Sequence, residues 1–233
     1  MTSDGLCLYR IVQTGSEENV GMRTARGTQT RRDILAAAAD LFHKQGVAAT
    51  SPDQVIEASG TGKGQFYHYF KNKEGLVHEV LHTYLVAIRD GSSPISYEIT
   101  SWDDLERWFL AHLGLQKRFE MTRGCPLGTI GNEVTAQDEL IRQDHSLIFE
   151  VVKSKIAKFF VKEKASGRLK SDVSEDELAD FCVAMIQGAM LLGKVRRNSG
   201  LVETTVRETM RHLRGYERGL PRPTSRYLKH RTR

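Results

Sequence analysis

The sequence predicts an all-α protein of about nine helices. A small N-terminal three-helix bundle with a helix-turn-helix would precede a larger C-terminal helical domain. Three observations carry this. Apolar residues recur at helical spacing over long segments, capping residues and glycines punctuate those segments, and strand-type alternation is absent.

Residues 1–22 show no clear periodicity and read as a flexible arm, with Met1 and Met22 as alternative starts. The first helix is expected from Thr30 to Gln45, where Ile34, Leu35, Ala38, Leu41 and Phe42 form one stripe before Gly46. A short second helix should open at Ser51-Pro52, a capping residue followed by a first-turn proline, and end near Ala58. A third should run from Gly62 to Phe70, and a fourth from Glu74 to Asp90 after the Lys71-Asn72-Lys73 break. Trp102 to Glu120 fits a fifth. Arg123 to Gly131, rich in glycine and holding Pro126, reads as a loop or broken helix. Long helices follow over Asp138–Ala165 and from the Ser174–Glu177 capping box to Arg197, and a last one spans Leu201–Arg214. The expected units are an arm (1–22), a helix-turn-helix domain (23–75, the motif about 51–70), a C-terminal domain (76–216) and a basic disordered tail (217–233).

Hydrophobic residues at 39% and charged residues at 27% of 233 describe a globular chain. The longest apolar candidate, Phe181 to Gly193, is shorter than a membrane helix requires, and no secretory signal is expected. Three widely spaced cysteines disfavour a disulfide framework or a cysteine zinc site and suit a reducing cytoplasm; no cofactor or metal is expected. The net charge of +5 is unevenly spread. Residues 23–73 hold eight basic and four acidic residues, the tail holds six and one, and the middle is acidic. Clustered positive charge suits a polyanion.

On the third helix, Phe66 and Phe70 share one side and should face the core. Gly64, Gln65 and His68 then face solvent, with Lys63 and Tyr67 on one edge and Tyr69 on the other. Glutamine can pair with adenine edges, tyrosine, lysine and histidine suit phosphates, and Gly64 would allow close backbone approach. An ordinary solvated face is the alternative. Gly60-Thr-Gly-Lys-Gly64 is not a phosphate loop: Glu57 stands where glycine is needed, and Gly64 where Ser or Thr is needed.

Thr30-Arg-Arg-Asp-Ile-Leu-Ala-Ala-Ala38, Leu41-Phe42, Gly46-Val47, Thr50-Ser51, Gly60, Lys63 to Phe70 and Lys73-Glu-Gly-Leu76 together resemble the tetracycline-repressor (TetR) family. The resemblance implies a homodimeric bacterial transcription regulator, usually a repressor, that binds a roughly palindromic double-stranded operator and leaves it on binding a small-molecule inducer. It assigns Thr50, Ser51 and Lys73 to phosphates, and Lys63, Gly64, Gln65, Tyr67, His68 and Tyr69 to the recognition helix. Gly62 departs from the serine common at that cap, so Thr61 is a substitute cap candidate. The resemblance also implies a four-helix dimer interface from the last two helices, and makes the fourth helix the lever between domains.

In the C-terminal part, Trp108, His112, Phe119, Met121, Cys125, Phe149, Phe181 and Met185 are candidates for an inducer pocket, with plain core packing as the alternative. Arg123-Gly-Cys-Pro-Leu-Gly128 is similar to a Gly-Cys-x-x-Gly-Asn element of one branch of the family, with Thr129 in place of the asparagine. Arg123 and a nearby helix N-terminus would favour the Cys125 thiolate, which would make DNA release sensitive to electrophiles or oxidants. An inert packed thiol is the alternative. An enzyme would need a converging nucleophile and acid–base set, for which Cys125 and His112 are candidates by type only; an interaction module without DNA binding is the other alternative.

Overall fold

A computed structural model of the chain describes residues 25–135 and 137–218, with side chains from residue 27 onward. Among them are nine helices and no strand. α1 (Ala25–Gln45) includes five residues before the expected Thr30. It stops at Gly46, whose φ of +88° closes the turn while its N–H reaches the Phe42 carbonyl. α2 (Pro52–Ser59) opens with a reciprocal cap: Ser51 N–H donates to Gln54 Oε1 at 2.8 Å, and Gln54 N–H to Ser51 Oγ at 3.3 Å. α3 (Lys63–Tyr69) follows a left-handed Gly60. Asn72 caps α4 (Lys73–Asp90), accepting from Gly75 N–H at 2.8 Å.

The second bundle holds α5 (Trp102–Arg118), α6 (Pro126–Gly131), α7 (Glu139–Ala165), α8 (Glu175–Arg196) and α9 (Ser199–Arg214). Positive φ at Glu120 and Met121 ends α5, and Pro126 in the first turn starts α6, so the glycine-rich stretch contains a short helix. Asn198 starts α9 two residues earlier than expected. α8 packs between α7 and α9 and also touches α5. By length and composition α8 could cross a membrane, but Leu178, Cys182, Ile186 and Met190 are buried against those neighbours, the placement of a core helix.

The two bundles are continuous. α4 packs on α7, α6 packs on α1, and one buried core runs from Ile34, Phe42 and Phe66 to Leu105, Phe159 and Leu213. The expected boundary at 75/76 therefore falls inside α4. The arm and most of the basic tail lie outside the described residues. Glu217 and Arg218, assigned to the tail by sequence, are instead tied to the α7–α8 connection. Glu217 bridges Leu169, and Arg218 N–H donates to the Arg168 carbonyl at 2.8 Å.

Candidate nucleic-acid interface and effector region

Phe66 and Phe70 are buried at 1% and 3% exposure, and α3 packs on α1 and α2. Lys63, Gly64, Gln65, Tyr67 and His68 are exposed, and Tyr69 is half-buried. The space where a Gly64 side chain would stand is open, so packing within the chain does not require glycine there. Gln65 caps its own helix, its Oε1 accepting from Gly62 N–H at 3.2 Å. Thr61 does not substitute for the missing serine cap; its hydroxyl pairs with Ser59 Oγ at 2.8 Å. Tyr69 turns back, its hydroxyl donating to the Gly27 carbonyl at 3.0 Å. The ammonium of Lys63 stands 3.4 Å from Asp53, both exposed, so water and salt weaken the pair.

Ser51 is exposed at the start of α2. Thr50 is buried, with its hydroxyl donating to the Gly46 carbonyl at 2.6 Å, so its side chain braces the α1–α2 turn. Lys73 donates to the Ala48 carbonyl at 3.2 Å. That turn is also held from the other bundle: Ala48 N–H donates to Glu133 Oε2 at 2.6 Å. A Cβ on Gly46 would stand 2.0 Å from Glu133 Oε1. Gly46→Ala therefore meets both left-handed backbone strain and this carboxylate, and is expected to lower stability by about 1–2 kcal/mol in urea unfolding.

A second tie joins α1 to the loop before α6. His43 Nε2 hydrogen-bonds the Gly124 carbonyl at 2.9 Å, and Arg123 pairs with Asp40 at 2.5 Å while lying over the Phe119 ring. Burial lowers the pKa of His43 to about 4, and does the same to His112. Both are neutral in the folded chain at pH 7. In the unfolded chain each takes up a proton near pH 6.5, so their contribution to stability is complete above that value and is lost as pH falls towards 4. Unfolding free energies are expected to fall between pH 6.5 and 4 by about 1.4 kcal/mol per unit for each histidine. Urea titrations at pH 7 and 5 measure this.

The eight inducer-pocket candidates pack in several neighbourhoods of the C-terminal bundle. Trp108 and His112 stack edge-on at 4.7 Å, with Tyr97 beside them; His112 Nδ1 donates to the Trp108 carbonyl. Cys125 meets Gln187, whose amide donates to Sγ at 3.4 Å. Phe119 packs on His43 and Arg123, and Met121 lies against Gly193. Phe149 neighbours His145, while Phe181 lies on His212 at 5.1 Å, towards α9. Met185 is half-buried on α8. Tyr97 and Gln187 were not singled out by sequence: Tyr97 sits in an aperiodic connection, and Gln187 is an isolated amide in an apolar helix.

The thiolate expectation for Cys125 is corrected. Arg123 turns away to Asp40, and burial raises the thiol's pKa despite hydrogen bonds from the backbone N–H groups of Gly128 and Leu127 and from Gln187. Gly128 lets Gln187 approach, since a Cβ there would stand 2.6 Å from Gln187 Oε1.

The model for bacterial regulatory proteins of the tetR family matches residues 34–80, and that for the tetracyclin repressor-like C-terminal domain matches residues 103–209. The uncharacterized HTH-type transcriptional regulator YxaF of Bacillus subtilis is 30% identical over 179 residues, 75% of this chain and 90% of that protein. The HTH-type transcriptional repressor DhaR of a Mycobacterium species is 25% identical over 173 residues, 73% and 85% of the two chains. Among solved structures, a TetR-family transcriptional regulator from Agrobacterium tumefaciens shares the fold, with a TM-score of 0.71 at 18% identity over 80% of this chain and 98% of that one. The chain belongs to the tetR family of bacterial regulatory proteins: it is a helix-turn-helix transcriptional regulator and not an enzyme.

Proposed function

We propose that the chain is a cytoplasmic, homodimeric repressor whose α3 reads a roughly palindromic operator and which a small molecule releases. The observation that carries this is the face of α3. Phe66 and Phe70 anchor it, while Lys63, Gly64, Gln65, Tyr67 and His68 stand exposed with no acid among them. Ser51 and Lys73 flank that face as phosphate contacts, together with Tyr69 at its edge. Thr50 contributes by holding the turn that presents Ser51. Residues 23–75 form the DNA-reading unit, and residues 76–216 the dimerisation and effector unit, with α4 as the lever between them.

Exposed apolar residues support the dimer. Ala184, Gly188, Leu191, Leu192 and Val195 make an exposed stripe along α8, and Val195 is 69% exposed. Pairing two such stripes would bury them and set two copies of α3 on one face of DNA, about one helical turn apart. The aromatic neighbourhood of Trp108, His112 and Tyr97 is the place proposed for the inducer. A ligand that favours a different spacing of the two reading units weakens DNA binding, and DNA weakens the ligand by the same factor.

Two substitutions test the reading of DNA. Gln65→Ala is expected to relax preference at one base pair by about 1–3 kcal/mol, and Lys63→Ala to weaken all sequences alike and reduce the salt slope by about one. Competition titrations with single-base operator variants distinguish these effects. Unchanged base preference in Gln65→Ala contradicts its role.

A further inference from the structure

We infer that the cleft at the junction of the two bundles binds a small organic cation with an apolar body. The cleft is half-open to solvent and offers about 300 Å³, at the small end of ligand-binding cavities. Val47, Val77, Ile130 and Ile141 give it apolar walls, drawn from the α1–α2 turn, α4, α6 and α7. Lys73, Glu74, Glu133 and Asp138 supply its charge. The aromatic neighbourhood proposed for the inducer lies outside it: Trp108, His112 and Tyr97 do not line this cleft.

Three carboxylates and one ammonium line the cleft. Asp138 is held ionised by Thr135, whose N–H and hydroxyl donate at 2.9 and 2.7 Å and lower its pKa. Glu133 accepts from Ala48 N–H through Oε2, with Oε1 against Gly46, so its charge stands at the turn side of the cleft. The Lys73 ammonium is directed to the Ala48 carbonyl. The cleft therefore carries two more carboxylates than ammonium groups beside its apolar walls. An anion is repelled, a neutral ligand gains only apolar burial, and a cation with an apolar body gains both. Glu133 and Lys73 both hold Ala48, two residues before Thr50, so an occupant touching either is linked to the DNA-reading unit. That linkage rests on the operator reading; the binding does not.

The test uses the full chain, with methyl NMR and calorimetry, and three probes of one shape: benzylammonium, benzyl alcohol and benzoate. Benzylammonium should bind saturably, shift the Val77, Ile130 and Ile141 methyls, and bind about tenfold or more tighter than the alcohol, with benzoate weakest. Glu133→Gln keeps an acceptor for Ala48 N–H, so the turn is retained; with Asp138→Asn it should weaken the cation about tenfold and leave the alcohol unchanged. Glu74→Gln, at an exposed position, should weaken the cation alone by a smaller factor. Equal affinities for the three probes, methyl shifts elsewhere, or no saturation by benzylammonium up to about 10 mM would overturn the inference.

Discussion

Phe66→Ala is expected to abolish operator binding and to lower the melting temperature of the chain. Phe66 is the only buried residue within α3, a helix of seven residues. So short a helix does not hold itself in water and depends on the surface it packs against. Removing a buried phenylalanine costs about 3–5 kcal/mol, a large part of the roughly 5–15 kcal/mol that stabilises a whole domain. The ring also sets the heading of its neighbours, packing edge-on to Tyr67 at 5.2 Å and tilted to Phe70 at 5.9 Å. Phe66→Leu should restore most of the stability and part of the affinity, because it refills most of the volume. Thermal melts and operator titrations of the two variants check this. A stable Phe66→Ala protein with native affinity would show that α3 does not present the DNA-reading face.

Leu192→Asp combined with Val195→Asp is expected to convert the proposed dimer into folded monomers. Both residues are exposed in the single chain, so the helical core should survive the change. Burying two carboxylates in an apolar interface is strongly unfavourable, and two-fold pairing would place four of them together. Operator affinity should fall about 100-fold or more, because the second half-site contact ceases to be intramolecular. Sedimentation and operator titration measure the two effects separately. A variant that remains dimeric would place the interface elsewhere than on this α8 stripe.

The helices were legible because their signals are local. The Ile34–Phe42 stripe, the Ser51-Pro52 start and the left-handed glycines at 46 and 60 all act within one or two turns. The inward face of α3 followed from the four-residue spacing of Phe66 and Phe70. What stayed hidden depends on distant partners. Arg123 stood beside Cys125 in sequence, yet its charge is spent on Asp40, 83 residues away. Glu133 reaches Ala48 across 85 residues, and Gln187 reaches Cys125 across 62. No periodicity marks such contacts, yet they set the surroundings of Cys125 and brace the turn before α2. Thr50 illustrates the same limit at short range: its residue type suits a phosphate, but the turn points its hydroxyl inward.

The most direct measurement is selection from a pool of random duplexes, followed by titration of the enriched sequence across a salt series. The account predicts a roughly palindromic site with half-sites about one helical turn apart, binding that survives competitor DNA, and a slope near −0.9 per phosphate contacted. Enrichment of no sequence, with weak binding alike for every duplex, would contradict it.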